Sequence, residues 1–154
     1  AQAGVPVILN PAPAPSEPLS ASLMHNLYLI TPNRSEATRL SGIEVTDIES
    51  AQRAAKAIHE MGPRNAVITL GSQGSLIYDG KMFMRIEATK VQAVDTTAAG
   101  DTFNGVLASV IAEGRSLIEA AHEASIAAAI SVTRLGAQPA APKRAEIEEM
   151  KKRK

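Results

Sequence analysis

Asp95-Thr-Thr-Ala-Ala-Gly-Asp-Thr-Phe-Asn-Gly105 marks a change of pattern in this chain. A short Val/Ala-containing run ends there. From Asp101 onward, Phe103, Val106, Leu107, Val110 and Ile111 follow the i, i+3, i+4, i+7, i+8 spacing of one helix stripe. Thr97-Ala-Ala-Gly100 are small enough for a ligand to approach the backbone closely. A helix start leaves its first N–H groups without intrahelical partners and carries a partial positive charge, which makes it a natural anion site. Asp101 adds a carboxylate at the same place. A base beside such donors is what phosphoryl transfer to an alcohol requires. Taken alone, Asp101 reads first as the N-cap of the helix, a position that Asp favours.

Composition bounds what surrounds this stretch. A chain of 154 residues predicts one domain, over 1–154, with enough length to bury a core. Sixteen basic and sixteen acidic residues cancel, so no global field draws in nucleic acid or an anionic membrane. Two Phe, two Tyr and no Trp leave little for bases to stack on. No Cys is present, which excludes disulfides and thiolate chemistry and fits a cytoplasmic protein. No apolar run approaches the ~20 residues of a membrane span. The first residues are Ala-Gln-Ala-Gly rather than Met, as expected of a processed chain or of one half of something longer.

Towards the amino terminus, Val5-Pro-Val-Ile-Leu9 predicts a buried parallel strand feeding a Pro-rich loop, Pro11 to Pro15. Ser20 caps a brief helix through Asn26, and Leu27-Tyr-Leu-Ile30 gives a second strand. Asn33 and Glu36 have the spacing of a capping box at the next helix start; Asn33 also stands at the carboxyl end of a strand, where open α/β sheets bind ligands. Asp47 opens a longer helix with Ile48, Ala51, Ala55 and Ile58 on one face, closed by Met61-Gly62-Pro63. Ala66 to Leu70 is the clearest strand. Gly71-Ser-Gln-Gly74 turns sharply from it, either as a plain turn or as a nest of N–H donors. Ser75–Tyr78 and Met82–Ile86 flank Asp79-Gly80, a hairpin signal. The pattern predicts an α/β fold, a mainly parallel sheet with an antiparallel hairpin extension. Ser116 caps an Ala-rich helix running towards Arg134, and Lys143–Lys154 predicts a terminal helix with a solvated basic end. His25, His59 and His122 are isolated, which argues against a His-based metal site.

The Asp95–Gly105 string resembles the D-T-x-[GA]-[AG]-G-D-x-F signature of the ribokinase-like carbohydrate kinases, the PfkB family. The resemblance implies a three-layer α/β fold and transfer of a phosphoryl group from ATP to a primary hydroxyl of a sugar such as D-ribose. Asp101 would be the base that meets the sugar, and the amides of Ala98, Ala99, Gly100 and Asp101 would form the anion hole. Asn33 and Glu36 match the family's N-x-x-E motif, implicated in handling Mg²⁺ and phosphate. Thr69, Leu70, Gly71, Ser72, Gln73 and Gly74 match the T-L-G-x-x-G segment that lines the nucleotide site. Ser131-Val-Thr-Arg-Leu-Gly-Ala-Gln-Pro139 resembles V-T-R-x-G-A-Q-P. There the resemblance implies an adenine wall that includes Ser125, and a site for a monovalent cation such as K⁺ built from Asp95, Thr97, Ser131, Arg134, Gly136 and Ala140. Ser125 replaces a larger polar residue common in the family, and Ala140 a common Ser.

The resemblance covers nearly the whole chain but only the carboxyl-terminal half of a typical member. The amino-terminal half with its sugar-binding Gly-Gly motif and β lid is expected to be missing. The kinase therefore competes with an ATP-binding half-domain lacking activity, and with a structural fragment whose sheet edge pairs with another copy (a homodimer) or with a missing half.

Overall fold

Ala66, Val67 and Ile68 are fully buried in β3 (Asn65–Thr69), as the apolar run predicts. The computed structural model describes residues 3–152. Those residues form two compact units: one runs up to Leu70 and takes in Ser75–Arg85, and the other takes Gly71–Gly74 and the chain from Ile86 onward.

The first unit holds a five-stranded sheet in the order β1 (Ile8–Leu9), β2 (Leu29–Ile30), β3, β4 (Ser75–Tyr78), β5 (Phe83–Ile86). β1, β2 and β3 pair in parallel; β4 returns antiparallel to β3 with Val67 opposite Ile77. This is the expected parallel sheet with its antiparallel extension. The first two strands are shorter than expected. Val5 is exposed. Leu27 belongs to the exit of α1 (Ala21–His25), its N–H donating to Met24 and its carbonyl accepting from Arg64. An amide already spent on a helix exit cannot join a ladder.

α2 (Arg34–Ser41) and α3 (Ile48–Glu60) pack on this unit. Ala51, Ala54, Ala55 and Ile58 of α3 are fully buried in a core with Ile30, Ile68, Leu70 and Leu76. Small residues along that face let α3 lie close to β3 and β4. At the other end of α3, the His59 ring stands edge-on to Tyr78, with centroids 5.2 Å apart.

The second unit is helical. α4 (Ala99–Ala112) and α5 (Leu117–Ser131) form an antiparallel pair through a turn at Gly114, whose φ of 79° suits glycine. Phe103, Leu107 and Val110 are buried on α4, and Ala120, Ala121, Ala124 and Ala127 on α5. α6 (Arg144–Lys152) packs Ile147 against Ile126 and Ile130; the rest of the expected terminal helix, Arg153 and Lys154, lies outside the described residues. Among the described residues, no helix is long and apolar enough to cross a membrane.

α5 starts with the capping box that Ser116 announces. The Ser116 side chain accepts from Glu119 N–H, and Glu119 Oε2 accepts from Ser116 N–H at 3.0 Å. The Ser116 hydroxyl, its amide and then Arg115 pull the Glu119 carboxyl from its ordinary 4.5 to about 2. A lowered carboxylate contributes stability that is full above the ordinary value and is lost as pH falls through the lowered one. Carboxyl NMR should therefore titrate Glu119 near 2, and Ser116→Ala should move the midpoint back towards 4.5. A midpoint of 4.5 in the unaltered protein would show that the box does not persist in solution.

Candidate functional site

α4 begins earlier than the apolar stripe suggests. Its N-cap is Ala98, not Asp101, and Ala98 takes a left-handed conformation (φ 57°, ψ 18°) with no side-chain cap bond. Asp101 is therefore the third residue of the helix, within its first turn, and is exposed. A carboxylate there lies in the positive end of the helix dipole.

The first helical bond runs from Thr102 N–H to the Ala98 carbonyl, 2.9 Å. Ala99 departs from the expected quartet of donors: its N–H already donates to the Thr96 carbonyl at 3.3 Å. Among the described residues, the N–H groups of Ala98, Gly100 and Asp101 have no protein acceptor. A Cβ built on Gly100 meets nothing within 4 Å, so there is room over that backbone for a ligand. Unpaired amides, open space and an exposed carboxylate on one helical turn suit an anion with an acidic proton beside it.

Asp101 also lines a cleft of ≈ 380 Å³. One side comes from α4, with Ala98, Thr102, Gly105 and Val106; the other comes from Ala137, Gln138, Ala141 and Pro142. Of these, only Ala98 carries a site role in the sequence, as an anion-hole amide. Gly105 was findable, since it lies one turn beyond Asp101 on the same helical face. The 137–142 residues follow the V-T-R-x-G-A-Q-P segment but are brought to Asp101 only by tertiary structure.

Asp95 ties that segment down. Its Oδ1 accepts from Thr97 N–H and its Oδ2 from Gly136 N–H, each at 2.9 Å. The amides of Val94 and Asp95 both donate to the Val132 carbonyl, at 2.7 and 3.1 Å. The Thr97 hydroxyl, with the Gly136 and Thr97 amides, holds the Asp95 carboxyl below the usual range, so it is charged near neutrality. Of the residues expected around a monovalent cation, Asp95, Thr97 and Gly136 are thus joined directly. Ser131 is buried and its carbonyl accepts from Arg134 N–H at 3.1 Å, while the Arg134 guanidinium pairs with Glu146. Ala140 is buried. The charged Asp95 carboxylate, bonded to both Thr97 and Gly136, suits a cation of this class. Among the described residues, no cluster of three or more His, Cys, Asp or Glu could hold a metal ion.

Asn33, Glu36, Thr69 and Leu70 belong to the first unit. Asn33 Oδ1 accepts from Glu36 N–H (3.0 Å) and Glu36 Oε2 from Asn33 N–H (2.8 Å), so the capping box is formed. Glu36 is buried. In this box Asn33 Oδ1 and Glu36 Oε2 are both engaged with amides, and Asn33 is exposed. Asn33 makes a parallel bridge with Thr69, and the Leu70 carbonyl accepts from the Arg34 guanidinium at 3.5 Å, so the two expected segments are neighbours.

Gly71, Ser72 and Gln73 form a single 3₁₀ turn, and Gly74 N–H closes it onto the Gly71 carbonyl at 3.0 Å. That amide is therefore not a free donor of a nest. Ser125, expected at the adenine wall, donates its hydroxyl to the Glu87 carbonyl at 3.4 Å.

Residues 1–144 match the family described as pfkB family carbohydrate kinase. The ribokinase of Haemophilus influenzae is 46% identical over 143 residues, covering 93% of this chain and 46% of the relative. That of Staphylococcus aureus is 38% identical over 148 residues, covering 96% and 48%. Among solved structures, Arabidopsis thaliana ribokinase complexed with ribose and ATP superposes with a TM-score of 0.89 at 32% identity, over 97% of this chain and 48% of that one. The chain spans about half the length of the relatives it matches.

Proposed function

Because the chain belongs to the pfkB family of carbohydrate kinases, we propose that it is the nucleotide-binding domain of an enzyme moving the γ-phosphoryl group of ATP to a primary hydroxyl of a sugar, D-ribose yielding ribose 5-phosphate. The observation that carries this is the exposed Asp101 in the first turn of α4, beside the unpaired Gly100 and Asp101 amides.

In this reading Asp101 takes the hydroxyl proton as the sugar oxygen attacks the γ-phosphorus. The new O–P bond forms, the bond to the bridging oxygen of ADP breaks, and ADP leaves with that electron pair. The amides of Ala98, Gly100 and Asp101 receive charge on the transferring oxygens. Mg²⁺ would neutralise phosphate charge, with Asn33 and Glu36 ordering its water shell. K⁺ would be held by Asp95 and the carbonyls of the 97 and 131–140 segments, which support the α4 entry. The Gly71–Gly74 turn and Ser125 would contact the nucleotide.

The chain's half-length match favours a second reading, an ATP-binding domain without turnover by itself, since orienting the sugar supplies a large share of catalysis. ATP titration by calorimetry, followed by a coupled assay with ribose, separates the two. Binding with turnover supports the kinase. Binding without turnover, restored when the amino-terminal half of a ribokinase is added, supports the half-domain. No ATP binding in either preparation overturns both.

A further inference from the structure

Glu146 joins two segments that sequence patterning keeps apart. Its Oε2 accepts from Lys143 N–H at 2.7 Å, capping the start of α6. The same carboxylate takes both Nη atoms of Arg134, which lies just beyond α5. Arg134, then Lys143 and Glu146, stand on either side of the residues that wall the cleft, Ala137, Gln138, Ala141 and Pro142. Among the described residues, one other side-chain tether holds that wall, the bond from Gly136 N–H to Asp95.

α6 does not need Glu146 to stay docked. Ile147 is buried with Ile126 and Ile130, Arg144 pairs with Glu113 at 2.5 Å, and Lys151 pairs with the buried Glu123 at 2.7 Å. Removing the charge of Glu146 should release the wall and leave the helix where it is. Glu146→Gln keeps an oxygen for Lys143 N–H and loses only the ion pair, so it isolates the contact with Arg134.

We infer that Glu146 is a positioning residue: through Arg134 it fixes the 135–142 wall, and with it the space around Asp101; the nature of the ligand received there rests on the function proposed above. By amide hydrogen exchange, Glu146→Gln should speed exchange at Gly136 and Ala140 by about tenfold, with Leu107 and Ala124 unchanged. Arg134→Gln should do the same, the double variant should be no worse than either single one, and Glu148→Gln should change nothing. Unchanged exchange at Gly136 and Ala140, or an equal rise at Leu107 and Ala124, overturns the inference. Where the reconstituted enzyme phosphorylates ribose, Glu146→Gln should lower kcat/KM about tenfold at an unaltered unfolding midpoint, and an unaltered kcat/KM also overturns it. Lack of turnover in the unaltered protein would count against the proposed function alone, and the exchange comparison would still decide the role of Glu146.

Discussion

Asp101→Asn should lower kcat by ~10² to 10⁴ in a kinase-competent assembly of both halves, the range that positioned proton transfer contributes. Asn has nearly the same shape and still places an oxygen in the first turn of α4, so the helix start should survive. It cannot accept the hydroxyl proton at neutral pH. If Asp101 serves only the helix, its removal costs about 0.3 to 1 kcal/mol of stability and leaves turnover alone. The two roles thus separate on two instruments: steady-state kinetics with ribose and ATP, and urea unfolding. A variant with normal kcat and reduced stability would return Asp101 to the role of a helix-end carboxylate. The exposure of Asp101 and the open space over Gly100 favour the kinetic outcome.

Gly74→Ala should be the most damaging single methyl in the chain. A Cβ there would sit 1.9 Å from the Ile86 carbonyl oxygen and 2.8 Å from Ala88 N, both backbone atoms that cannot swing aside. The residue also has a φ of 86°, which L side chains resist. Left-handed strain and overpacking together give a loss of about 2 to 5 kcal/mol. Gly71→Ala provides the control, because its φ is 61° but a Cβ would meet nothing within 4 Å. Only the conformational part remains there, about 1 to 2 kcal/mol. Urea unfolding of both variants at matched m-values checks the difference. Equal losses would mean that the turn shifts away from Ile86 at little cost.

Much of this was visible in residues. The Asn33–Glu36 box and the Ser116 cap are short-range patterns whose bonds form wherever the helix forms; both are present, and Glu119 completes a box at Ser116 that the sequence reading does not name. β3, the Asp79-Gly80 hairpin and the α4 stripe depend on local periodicity and turn chemistry, and they too appear where expected. Other features had no local signal. An Ala in the left-handed region at 98 carries no composition cue, so the apolar stripe alone puts the helix start at Asp101. Glu123 stands in an Ala-rich helix that looks like plain packing, yet it is buried and receives both Arg115 and Lys151. Its partners lie 8 and 28 residues away, beyond the i+3 and i+4 neighbours that helix patterning pairs. The sequence marks Gly74 as the end of a sharp turn and as part of the T-L-G-x-x-G resemblance, whereas the structure gives it a steric reason, a neighbouring backbone that leaves no space. The cleft wall at 137–142 is likewise held by contacts distant in sequence, Gly136 with Asp95 and Arg134 with Glu146.

The left-handed Ala98 has a thermodynamic corollary. Glycine would populate that backbone region more readily, but it would leave the bend slack in the free protein. Alanine holds a narrower range of shapes, so donors beyond the bend are aimed before any anion arrives. Under the function proposed above, an incoming phosphate would forfeit little motional freedom on the protein side, the strain of one twisted residue being met at folding rather than at each encounter.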